Sequence, residues 1–262
     1  MPVEELNRTT ENPFVTLLGA QYEILQEIAA EAVNVLGAEQ AGFFTYLFND
    51  WMDVWGAIST AYPEEELAQS LVYFYLVGLS KEVRWLQLHF LSGNYSLLHR
   101  DLRHIWEMVF RGYYVDTHAK KEETDPEPPG PTLDEKIAWM AEHERDLFTW
   151  GEFMRLTLRR LVPKVKGTDV ERYYKLLWDN LNEHVHPSAA LLDRMATWSP
   201  ESWVKDAFSE EWALEAINSA TMVFDLVWVA VLSRFPCCVD MLEERGFHLE
   251  YPLISNALET AC

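Results

Sequence analysis

The chain has 262 residues, 49% of them hydrophobic, with 42 acidic residues against 21 basic ones and a net charge of −21. That is enough apolar material for one large core or two small ones, and too much negative charge for a protein that coats nucleic acid over its whole surface. The charge is uneven: residues 1–80 hold one basic residue, Arg8, against twelve acidic ones, whereas 81–194 carry 17 of the 21 Lys and Arg, so a local cationic groove in the middle third remains open to the chain.

Cys237, Cys238 and Cys262 make no disulfide framework, because neighbouring cysteines are poorly placed for an ordinary bridge. No CxxC or Cys/His zinc spacing occurs, and the reading is a reducing, cytoplasmic protein with no metal and no cofactor. The N-terminal MPVEELNRTTENPF lacks the basic and apolar regions of a signal peptide. The late apolar run 222–232 is short and interrupted by Asp225, so it is predicted as a buried helix rather than a membrane span.

In chain order nearly everything reads as helix. Residues 14–36 form a first helix, with Tyr22, Leu25, Ile28 and Val33 on its buried side and a stop at Gly37. Residues 43–62 form an aromatic-rich second. Pro63 followed by Glu64, Glu65 and Glu66 opens a third that runs to about Leu91, with proline in the first turn and acids at the positive end of the helix dipole. After a turn at Gly93-Asn94, residues 95–116 place Leu98, Leu102, Ile105, Val109 and Tyr113 at steps of three and four, one face of a helix. The opposite face carries Arg100, Arg103, His104, Glu107 and Arg111.

The stretch 117–132, THAKKEETDPEPPGPT, cannot continue a helix and is expected to be an exposed Pro-rich loop within one bundle rather than a domain boundary, leaving 1–262 as a single domain. Thr132-Leu-Asp-Glu135 has the capping-box pattern and opens a helix toward Trp150. A segment at 151–161 begins a second basic stretch with Arg155, Arg159 and Arg160. A second capping box, Thr168 to Glu171, opens ERYYKLLWDNLNEHV, which must end near His186 because the residue before Pro187 disfavours the α conformation. Short helices are expected at 188–195 and after Pro200, and a long apolar helix over 209–235 closes the core before Pro236. The fold class is all-α, an up-and-down helical bundle with additional C-terminal helices.

The segment YYKLLWDNLNEHVHPS resembles a Tyr…Leu…Val-His-Pro-Ser signature of prokaryotic helical proteins related to the HEPN superfamily, through Tyr174, Leu181, Val185, His186, Pro187 and Ser188. The upstream helix of those proteins, Leu-Leu-x-Arg followed by Glu, is matched by Leu97, Leu98, Arg100 and Glu107. The resemblance implies a helical bundle, often dimeric. Active HEPN nucleases carry Arg-x(4–6)-His, and this chain departs from that pattern: no Arg stands at that spacing before His184 or His186, and the matches Arg84-x4-His89 and Arg111-x6-His118 are of the kind chance supplies.

Two functional readings follow. In the first, the protein is RNA-directed, with His186, Arg100 and Glu107 as candidate catalytic residues and Arg103, His104, Arg111 and Ser188 as candidate substrate-binding residues. Imidazole titrates near neutrality, and arginine supplies the charge that phosphate binding needs. In the second, the chain is a catalytically silent interaction module or homodimeric scaffold. Arg100 and Glu107 then form ordinary ion pairs, and His186 is a hydrogen-bonded helix corner. His184, seven residues after Leu177, is expected to pack in the core. A di-metal carboxylate bundle would need repeated Glu-x-x-His pairs, which are missing here. The two readings separate on whether the Arg100, Glu107 and His186 side chains converge in an open cleft.

Overall fold

Helices dominate the computed structural model, which describes residues 13–119, 130–143, 154–162, 169–184 and 208–244, and no strand occurs among them. The described helices are α1 (Pro13–Leu36), α2 (Ala38–Ala41), α3 (Phe43–Ala61), α4 (Glu64–Leu67), α5 (Leu71–Gly78), α6 (Ser80–Leu91) and α7 (Tyr95–His118). After them come α8 (Leu133–Glu142), α9 (Arg155–Leu161), α10 (Asp169–Glu183), α11 (Glu210–Arg234) and α12 (Val239–Glu244), the last preceded by a 3₁₀ turn at Pro236–Cys238.

Local chemistry sets several of the ends. Asn94 caps α7 by accepting from the Leu97 amide, and Ser209 caps α11 by accepting from the Trp212 amide. The predicted capping box at Thr132 and Glu135 is formed in both directions. Gly37, at φ 85°, supplies the left-handed residue that ends α1.

Helix α7 is the axis of the bundle. It packs most extensively along α11, and also against α5, α6, α8, α9 and α10. Its apolar face, Leu98, Leu102, Ile105 and Val109, is fully buried, as the three-four spacing predicts. Trp106 is buried as well and meets Trp178 of α10 edge-on at 5.6 Å, so α7 packs on the 168–185 helix as expected. Trp51 of α3 lies against Phe224 and Trp228 of α11 and donates through Nε1 to the Leu76 carbonyl at 2.8 Å.

The 18-residue apolar window of α11 is 72% buried inside the protein, although by length and composition the helix could cross a membrane. Its Asp225 is held inside the core by the Tyr174 hydroxyl, which donates to Oδ2 at 3.4 Å. Burial, and then the Asp225 carboxylate, keep that phenol protonated well above the usual tyrosine range.

Three expectations change. The helix predicted over 64–91 is three helices, and the first break comes from the Asp116 side chain of α7, which takes the Leu71 and Val72 amides at 3.0 and 3.2 Å and the Ser70 hydroxyl at 2.7 Å. Those amides are satisfied by a carboxylate instead of by the preceding turn, so α5 starts afresh at Ser70. Helix α1 buries a narrower stripe than predicted: Ile28 and Ala32 are covered, but Tyr22 is 62% and Val33 45% exposed. It lies at the periphery and touches α6 and α11 with one edge. Residues 117 and 118 continue α7, and the core of the predicted Pro-rich loop, 120–129, lies outside the described residues, as do the predicted helices at 188–195 and after Pro200.

Candidate functional site

The polar face of α7 divides in two. Its outer part, Arg100 and His104, faces solvent. The Arg100 side chain is 56% exposed and its Nε lies 3.6 Å from Asp101, whose other oxygen is 3.2 Å from His89 Nε2. The rest of the predicted cationic stripe is covered. Arg103 lies over the Trp178 ring at 4.7 Å from its centroid, a cation–π contact that α10 supplies. Glu107 sits between two arginines: Arg111 Nη2 donates to Oε1 at 2.6 Å, and Arg103 Nη2 is 3.9 Å from Oε2. Arg111 is 6% exposed.

Glu107 therefore works within an Arg103–Glu107–Arg111 ladder, with partners one turn to either side, while Arg100 stands two turns away and pairs with Asp101. His186 and Ser188 lie outside the described residues, as do Val185 and Pro187.

The second basic stretch is also partly neutralised. Arg159 donates to both carboxylate oxygens of Glu171 at 2.8 and 3.1 Å, Arg160 is 3.2 Å from His118 Nε2, and Lys175 pairs with Asp179. The middle third is rich in Lys and Arg, and among the described residues Arg103, Arg111, Lys136, Arg159 and Lys175 each pair with a carboxylate on their own or a neighbouring helix.

A separate polar group lies where α7, the end of α10 and α11 meet. His99 is 1% exposed and its ring stacks on His184, centroids 4.3 Å apart and planes within 11°. His99 Nδ1 donates to the Tyr95 carbonyl at 2.7 Å, and His184 Nδ1 is 3.4 Å from the Ser96 hydroxyl. Glu215 of α11 accepts from the Asn180 amide at 3.0 Å. One ligating atom from each of His99, His184 and Glu215 lies within 4.8 Å of the other two.

Asn180 and Glu215 also line a groove of about 590 Å³ between α10 and α11, whose other walls include Tyr173, Leu176, Glu211 and Leu214. The sequence gives no local sign of this group, since its members come from three helices and share no spacing. The helical phase that puts His184 near the apolar face was the one available clue.

No family model, curated protein or solved structure matches the chain. The resemblance to HEPN-related proteins rests on its motif residues alone.

Proposed function

We propose that the chain is a helical interaction module that acts through a protein partner, a second copy of itself being the partner the resemblance implies. The observation that carries this reading is the engagement of Glu107. Its carboxylate is taken up by Arg103, which lies over Trp178 of α10, and by the buried Arg111, whereas an RNA-cleaving site at Arg100 and Glu107 would need those groups turned together into an open cleft. The net charge of −21 also opposes polyanion binding. Tyr173, Leu176 and Leu214, all exposed, form an apolar rim beside the α10–α11 groove that a partner could cover.

The RNA-directed reading is the second one, favoured by the exposure of Arg100 and His104 on one edge of α7. An RNA-degradation assay with the purified chain, paired with light scattering, separates the two. The expected result is no cleavage and a particle of two chains. Cleavage that is lost in both Arg100→Ala and His186→Ala would establish the nuclease reading instead. A monomer that cleaves nothing would remove the self-association.

A further inference from the structure

Beyond that reading, and independent of it, we propose that His99, His184 and Glu215 bind one divalent transition-metal ion, zinc foremost, at the junction of α7, α10 and α11. Two imidazole nitrogens and one carboxylate oxygen are a zinc-type donor set that leaves a fourth position for water or a small ligand. Imidazole pairs disfavour calcium and magnesium, which take oxygen ligands.

The three ligating atoms already lie within 4.8 Å of one another. Around a tetrahedral ion with bonds near 2.0–2.1 Å they would stand roughly 3.4 Å apart, so closure requires side-chain movement of an ångström or so and no change in the helices. Two of the ligands are also held from behind. A carbonyl only accepts, so the Tyr95 carbonyl fixes the proton of His99 on Nδ1 and leaves the lone pair on Nε2. The Asn180 amide orients Glu215.

One adjustment is required. Parallel stacked imidazoles hold their lone pairs in separate planes, and a single ion cannot lie in both. The His184 ring must turn about its Cβ–Cγ bond. It sits in the turn that follows Glu183, the last residue of α10, where a side-chain torsion suffices. Glu215, one of the three ligands, lines the α10–α11 groove of about 590 Å³ together with Asn180, so the carboxylate side of the site adjoins that groove.

The test uses the full chain stripped with chelator and dialysed, then titrated with Zn²⁺ alone against a competing zinc indicator, with thermal melting alongside. Expected are one zinc per chain, a melting temperature that climbs with zinc concentration, and visible d–d bands of a four-coordinate site when Co²⁺ replaces zinc. His184→Gln and Glu215→Gln should each weaken zinc binding at least about ten-fold, while His143→Ala should bind as the natural chain does. If either variant fails to fold, zinc-dependent shifts of the His99 and His184 ring resonances in the natural chain, read by NMR, answer the same question. Absence of one-to-one binding, affinity in both ligand variants equal to that of the natural chain, or no shift of these two rings on zinc addition would overturn the assignment and leave a stacked pair of core histidines.

Discussion

Replacing Asp116 by Ala should destabilise the protein more than any surface change. The side chain is fully buried and accepts from Ser70 Oγ, the Leu71 and Val72 amides and Lys136 Nζ, the last at 2.7 Å, with Arg234 Nε 3.7 Å away. Lys136 is itself only 6% exposed and gives its other hydrogen bond to the Gln69 carbonyl at 2.5 Å. Removing the carboxylate strands a buried ammonium, which typically costs about 3–5 kcal/mol. It also uncaps α5, a loss of about 1 kcal/mol when counted alone.

Because the two effects share one group they do not add fully, and a total of about 4 kcal/mol is expected. That corresponds to a fall in melting temperature of roughly 10 °C for a chain of this size. Urea unfolding at neutral pH, followed by circular dichroism, measures it. The double variant Asp116→Asn, Lys136→Met removes the stranded charge and should recover about 1–3 kcal/mol relative to Asp116→Asn. A single-variant loss below about 1 kcal/mol, or no recovery in the double, would refute the argument that a buried ion pair holds α5, α7 and α8 together.

Gly112→Ala should cost about 1–3 kcal/mol, read as a lowered urea midpoint, because a Cβ there would come within 2.8 Å of the Tyr75 ring and 3.1 Å of the Val72 amide nitrogen. Unchanged stability would mean that α5 and α7 can separate without loss. Asp50→Asn should act in a pH-dependent way. Burial, and then the neighbouring Asp53, push the Asp50 carboxyl from 3.8 up to about 6. With the folded value raised, the stability it contributes is complete below about pH 4 and is lost as pH rises through 6. The variant should therefore match the natural chain at pH 4 and exceed it at pH 7, by about 1 kcal/mol after allowance for solvent screening. Equal stability of the two chains at pH 7 would contradict this.

Much of the fold could be read from residue order. The three-four spacing of Leu98, Leu102, Ile105 and Val109 defines the buried face of α7, and the capping residues Asn94, Thr132 and Ser209 start helices where such residues are expected to. The candidate site was less legible. The same helical projection that groups Arg100 with Arg103, Glu107 and Arg111 cannot tell that α10 lays Trp178 over Arg103, nor that Arg111 is buried while Arg100 is not. A stripe that looks uniformly cationic in projection is half ion-pair ladder and half exposed edge.

The sequence by itself determined what depends on neighbours up to about four residues away: helix periodicity, caps, the stop at Gly37, and the end of α11 before Pro236. Tertiary structure alone decided what depends on how two helices are rotated against each other. Asp116 splits the predicted helix at Ser70 from 46 residues away, Gly112 lets that carboxylate approach, and His99, His184 and Glu215 meet although no spacing links them. Local rules act within one hydrogen-bonded turn and travel with the sequence. A contact between helices depends on crossing angle and axial rotation, which the whole packed core sets at once.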